Sequence, residues 1–247
     1  GVGLTGIDTL STTGNVTVTS SAYIKNIYTN GNVTLEGSAR ADLISAKGWI
    51  YTKSGGTQGD LYADKYINIT NGSLKNANTF SYIDWPSGGG TAQILTAGGY
   101  VNFGSSSVNT IRAKGNVNLS TWGTVSDVMS EGKIKCVSTN WGNYTLLKAI
   151  SFESCPTKNA TTLPAGTDSI VATGALVTVT APNKPLVNAL SYESQANYIL
   201  DVDSNSKPVV TVKNVNGIPS GKYYIAKYTS NNIEYIGKLC PGINTSG

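Results

Sequence analysis

Histidine is absent from the chain, which removes histidine-activated nucleophiles, the commonest general base and most zinc sites. Charge is scarce as well. Asp, Glu, Lys and Arg make up 13% of the chain, about half the ~25% usual in globular proteins. Arginine occurs only at Arg40 and Arg112, and the lysines are scattered without a cluster. The net charge of +4 is therefore a mild surface bias, and no nucleic-acid partner is expected. No apolar run approaches the ~18 residues of a membrane-spanning helix, so no membrane insertion of this segment is expected. The chain starts without Met and without a basic–apolar leader, and it reads as a processed protein or an excised fragment.

What is abundant points one way. Gly, Ser, Thr and Asn are the dominant residue types. All four are weak in helix interiors, so the composition predicts an all-β chain. Its length suits one large domain or two small ones. A low-charge β protein rich in Thr, Asn and Tyr belongs more often outside the cell, and an extracellular, cell-surface location is expected. There, Cys136 and Cys155 can pair and leave Cys240 over; three isolated thiols are the equal alternative.

A repeat organises the chain from its start to Gly142. Leu10-Ser-Thr-Thr-Gly14-Asn-Val16-Thr-Val18 matches Ile27-Tyr-Thr-Asn-Gly31-Asn-Val33-Thr-Leu35 at an offset of 17. Further copies start at Ile44, Leu61, Ala77, Leu95, Ile111 and Val128. With the first residue of each copy written n, position n+4 is glycine in six of eight copies, where composition alone predicts about one. Position n+6 is always Val or Ile, and n−5 and n+2 are always small. The pairs n−5 and n−3, n and n+2, n+6 and n+8 are each spaced by two, the period of a strand. Three short strands in every copy predict a single-stranded parallel β-helix of triangular section and right-handed coil. Glycine at n+4 is expected to supply a turn with positive φ. Eight coils make a rod of about 38 Å at ~4.8 Å per coil.

The phase is lost after Gly142, and 143–164, with Cys155, Pro156 and Pro164, reads as an irregular insertion. Ile170–Thr178 fits the template again as a ninth coil, which carries the β-helix domain to 1–181. From 182 to 247 two antiparallel hairpins are expected, Tyr198–Val212 and Tyr223–Gly237. They form a C-terminal β cap packed on the helix, since a solenoid must hide its last coil and open edges.

The outward position n+5 reads Asn15, Asn32, Trp49, Tyr66, Tyr82, Tyr100, Asn116 and Lys133. Four consecutive coils thus carry an aromatic ring at one site, in a column about 14 Å long at ~4.8 Å per coil. Tyr51 at n+7 shares the face, and Tyr28 and Tyr62 at n+1 widen the aromatic area on the next one. Two roles fit such a column. Ring faces turned outward would stack on the C–H faces of a sugar polymer. Rings in register can instead stack on each other and stabilise the rod, leaving only their edges to a ligand. Trp122, Trp141 and Tyr144 suggest a second patch near the later turns, and Trp85 sits at an inward position.

Catalysis finds little support. Asp60, Asp64 and Asp84 are the best acidic group, whereas glycoside hydrolysis needs two carboxylates flanking one bond. The two arginines lie four coils apart. Asp201-Val-Asp203-Ser-Asn205 resembles the start of a calcium loop, but Ser206 replaces the glycine and Val212 the closing glutamate. No enzyme activity, metal or cofactor is expected.

The phrases Gly14-Asn-Val-Thr-Val and Gly31-Asn-Val-Thr-Leu give the repeat its resemblances. Bactofilin-like filament proteins share the short coil, and filament-type adhesins of two-partner secretion share the Gly-Asn-Val-Thr phrase. The architecture of residues 1–180 most resembles the β-helical C-terminal domain of the tapirins, surface proteins of cellulose-degrading bacteria linked to type IV pilus loci. That resemblance implies a non-catalytic adhesin that holds an insoluble polysaccharide, cellulose or a related glucan. Trp49, Tyr51, Tyr66, Tyr82 and Tyr100 are the candidate contacts, and pilus or cell-surface components are further expected partners. The alternative is a structural fibre or appendage component acting through protein contacts.

Overall fold

Side chains repeating at n, n+2, n+6 and n+8 can leave water together only if successive coils stack, and the computed structural model shows that stack. It describes residues 6–120, 123–137 and 143–165, together with the strands Leu176–Val179, Leu186–Leu190, Asn197–Val202, Pro208–Lys213, Tyr224–Ser230 and Ile233–Leu239. The chain is all-β and winds as a parallel β-solenoid of about nine turns. One sheet has ten parallel strands and the other nine, each strand pairing with its counterpart one coil away. Ile27 lies beside Ile44, Ile44 beside Leu61, and Val33 beside Ile50, as the repeat offset requires.

The three expected strands per coil are two. The first two merge into one strand of seven residues, such as Tyr23–Thr29 or Arg40–Ala46, and the third is a strand of three, such as Val33–Leu35. The long strand is bent. Its inward side chains fall at n−3, n and n+2, a step of three followed by a step of two, and pairing between coils skips n−2: Ile24 pairs with Ala41 and Asn26 with Leu43. The core runs along the axis as Ile27, Ile44, Leu61, Ala77, Leu95, Ile111 and Val128, faced by Val33, Ile50, Ile67, Ile83, Val101, Val117 and Ile134, all without exposed surface. Trp85 is core, its ring edge-on to Phe103 at 5.9 Å between centroids. Gln58, the one amide at n−3, is buried with its Oε1 accepting from the Ala41 N–H and its Nε2 donating to the Ala39 carbonyl. That satisfaction is what a buried polar group requires.

The glycines at n+4 have a different cause from the expected one. None of Gly14, Gly31, Gly48, Gly99, Gly115 and Gly132 has positive φ; that conformation occurs at Gly37, Gly72, Gly88, Gly89 and Gly90. What n+4 demands is room between coils. A Cβ on Gly31 would lie 2.6 Å from the Gly14 carbonyl carbon, and one on Gly115 2.8 Å from that of Gly99.

Residues 143–164 are not an irregular insertion. Asn143–Ala149 and Ser151–Glu153 continue both parallel sheets as a ninth coil, and Ala160–Thr162 adds a tenth strand to the longer sheet. Leu147 stands beside Val128, a pair wider in sequence than any in the regular coils, and Phe152 stands beside Ile134 at the same separation as Val101 and Ile83. The turns absorb the length change while the inward alternation resumes. Cys136 and Cys155 form a disulfide that ties coils eight and nine together; Cys240 lies outside the described residues.

Of the ninth coil expected at Ile170–Thr178, only the last three residues fall among the described ones, and they do not pair as a coil would. Residues 170–175 lie outside the described residues, but Leu176–Val179 pairs antiparallel with Leu186–Leu190. These two strands join Tyr224–Ser230 and Ile233–Leu239 in a four-stranded antiparallel sheet, which therefore begins before 182. Both expected hairpins are present, the other being Asn197–Val202 with Pro208–Lys213. Strand Ile233–Leu239 runs beside Tyr23–Thr29, Arg40–Ala46 and Thr57–Ala63, along coils two to four. Among the described residues, no helix is long and apolar enough to cross a membrane.

Candidate functional site

The short strands alternate buried and outward residues, as in Ile50-Tyr51-Thr52 and Ile83-Asp84-Trp85, so n+5 and n+7 form two outward columns on one flat face. Asparagine flanks the aromatic run of the n+5 column on both sides. Asn15 Oδ1 accepts from the N–H of Asn32 at 2.9 Å, Asn32 Oδ1 from that of Trp49 at 3.0 Å, and Asn116 Oδ1 from that of Lys133 at 2.9 Å. Each amide thus satisfies the same position one coil on.

Between them stand the four predicted rings, and the structure brings all four together. Trp49 and Tyr66 are stacked with centroids 6.0 Å apart, Tyr66 and Tyr82 4.9 Å, Tyr82 and Tyr100 4.6 Å. Their planes agree within 5 to 10°. The inner rings therefore have both faces against neighbours, and the column offers indole and phenol edges to solvent. Tyr100, at the end of the stack, is the most open at 39% exposure. Burial pushes the Tyr82 and Tyr100 phenols upward, with the Asp84 carboxylate adding to it, so both hydroxyls remain proton donors through neutral pH.

Tyr51 sits in the adjacent column with the Lys53 ammonium 4.7 Å from its ring centre, and Lys53 also pairs with Glu36 at 3.5 Å. Beyond it the n+7 column is polar. Asn102 donates to Asp84 at 3.0 Å, and Asn118 donates to Asn102 at 2.7 Å.

The expected extension of the aromatic area onto the next face is only partly there. Tyr28 is buried and Tyr62 half-buried on the other sheet. Their n+1 row is covered along much of its length, since Ser45, Asn78, Thr96 and Arg112 are buried too, although these side chains point away from the core. Tyr144 is buried as well, donating its hydroxyl to the Ser120 carbonyl at 3.1 Å, and its burial raises the phenol pKa. Trp122 and Trp141 lie outside the described residues, as does Asp203-Ser-Asn205.

Asp60, Asp64 and Asp84 do not converge. They occupy n−1, n+3 and n+7, on different sides of the coil; Asp60 accepts from Asn76 at 2.6 Å and Asp84 from Asn102. Arg40 lies over the Tyr23 ring at 5.1 Å, and the buried Arg112 pairs with Asp127 at 2.5 Å. Among the described residues, no three acidic or cysteine side chains are placed to hold a metal ion.

The rows n−4 and n−2 face outward on the first leg of the long strand, and their signal in the sequence is a succession of hydroxyls at n−4, Thr57, Ser73, Thr91, Ser107 and Thr124. Compared with known proteins, the chain matches no family model, no curated protein and no solved structure.

Proposed function

We propose that this chain is a non-catalytic, cell-surface attachment rod that holds an insoluble polysaccharide, cellulose or a related glucan, along its short-strand face. The observation that supports this reading is the half-exposed line of ring edges from Trp49 to Tyr100, spaced 4.6 to 6.0 Å along one sheet. Because the rings cover one another, the contact differs from face-on stacking. The phenol hydroxyls of Tyr66, Tyr82 and Tyr100 hydrogen-bond the polymer, with the Asp84, Asn102 and Asn118 row alongside. Each contact is weak, and the preorganised sheet keeps the ordering cost low.

The test is a pull-down on microcrystalline cellulose. Wild type is expected to be retained, and the Tyr66→Phe/Tyr82→Phe/Tyr100→Phe triple variant, which keeps the stack and removes only hydroxyls, is expected to wash off. Retention of the triple variant at the wild-type level would overturn the ladder as the contact.

A second reading has its own observation. Mutual stacking within 10° explains the ladder as a stabilising device without any ligand, as a structural rod acting through protein contacts would use it. Failure of the wild type to bind cellulose, with the Phe variants unchanged in stability, selects that reading.

A further inference from the structure

A trough of about 410 Å³ runs along the first leg of the long strands in coils four to seven. Its floor is the n−3 row, where Leu74 and Ala92 are almost fully buried. One wall is hydroxylic, with Thr57, Ser73 and Thr91; the other carries Lys75, Gln93 and Asn109. Lys75, Gln93 and Asn109 are exposed, and Lys75 has no ion-pair partner among the described residues. Among the described residues, no carboxylate and no aromatic ring lines the trough.

We infer that this trough is a second binding site, independent of the aromatic ladder, for an extended acidic polysaccharide lying along the rod axis. The trough follows the coil stack, so the polar groups of each wall recur at about the ~4.8 Å strand spacing. That recurrence suits a polymer of similar units. Hydroxyls and carboxamides both donate and accept, which matches the hydroxyl groups of a sugar chain. The single unneutralised ammonium, with no acidic side chain in the trough to oppose an anion, places a uronate carboxylate opposite Lys75 through a charge-assisted hydrogen bond.

The experiment is titration of the full chain with hexagalacturonate, followed by calorimetry and by backbone amide shifts, with cellohexaose as the neutral comparison. The shifts are expected to cluster at Lys75, Gln93 and Asn109. Lys75→Gln is expected to weaken binding about tenfold, the effect of one charge-assisted contact. Added salt should weaken the wild-type complex and leave the variant's residual affinity nearly unchanged. Because Lys75 is remote from the ladder, Lys75→Gln leaves retention on cellulose as it was, so loss of either activity is scored separately. The proposal is overturned if millimolar hexagalacturonate moves no trough resonance. It is equally overturned if Lys75→Gln and Gln93→Ala/Asn109→Ala bind like wild type, or if cellohexaose binds as tightly as the acid.

Discussion

A methyl group added at Gly31 has nowhere to go. Its carbon would sit 2.6 Å from the carbonyl carbon and oxygen of Gly14 and 2.7 Å from the nitrogen of Asn15, all backbone atoms that cannot swing aside. At Gly14 the same methyl meets nothing nearer than the Thr12 hydroxyl at 3.9 Å. Gly31→Ala is therefore expected to cost about 1–3 kcal/mol, the range for overpacking, while Gly14→Ala is neutral or slightly stabilising. Urea melts of the two variants check this, and equal effects would show that coil spacing does not select glycine at n+4. The recurrence of glycine is plain in the sequence, yet its reason is not. A glycine kept for positive φ and one kept for close approach look alike until the neighbouring coil is in place. The same holds for the aromatic column. Its membership follows from counting, but whether rings turn faces or edges outward depends on side-chain rotation, which no spacing encodes.

At the scale of an element, the last coil shows most clearly what sequence phase can and cannot carry. The inward alternation of Tyr144, Leu147 and Ala149 is that of every other long strand, but extra length in the preceding turn and a shorter turn at Ile150 displace it from the repeat frame. Turns tolerate such changes because the stacked strands, not the corners, hold the coil. The buried n+1 row was illegible for a different reason, since burial there is conferred from outside the coil that carries it. The last coil is also the one with added fastenings. The Cys136–Cys155 bridge, with a sequence separation of 19, is expected to contribute about 3 kcal/mol, and reduction should lower hydrogen-exchange protection in 143–153 before the interior coils. Uniform loss along the rod would contradict that.

Beside the bridge, Glu153 receives hydrogen bonds from Lys133 at 2.5 Å and Lys135 at 2.8 Å, which lower its pKa from 4.5 to about 2. A carboxylate with a depressed folded pKa adds stability that is present above its unfolded value and lost as pH falls through the folded one. The melting temperatures of wild type and Glu153→Gln should therefore differ at pH 7 and converge between pH 4.5 and about 2. A gap that persists at the acid end would assign the difference to packing instead.

Over the whole molecule, each coil of the parallel sheets pairs only with the coils before and after it, so stability is a chain of nearest-neighbour terms. Leu95 is fully buried and its strand lies between Ser73–Thr79 and Ser107–Ala113, near the middle of the stack. Leu95→Ala removes about 2–5 kcal/mol from one interior coil. In a fold closed by long-range contacts that loss would lower a single cooperative transition. In a rod it also weakens the coupling between the two halves, because no strand of either parallel sheet bypasses the sixth coil. Val16→Ala, in the first short strand, removes apolar surface from an end and leaves the remaining coils coupled. The expected result is a broadened or two-step urea transition for Leu95→Ala, with the Tyr66–Tyr82 region melting apart from the disulfide-tied ninth coil, and one sharp transition for Val16→Ala. Far-ultraviolet dichroism and site-resolved hydrogen exchange distinguish the cases. Coincident, equally steep transitions in both variants would show that the antiparallel C-terminal strands, or another long-range contact, couple the rod end to end.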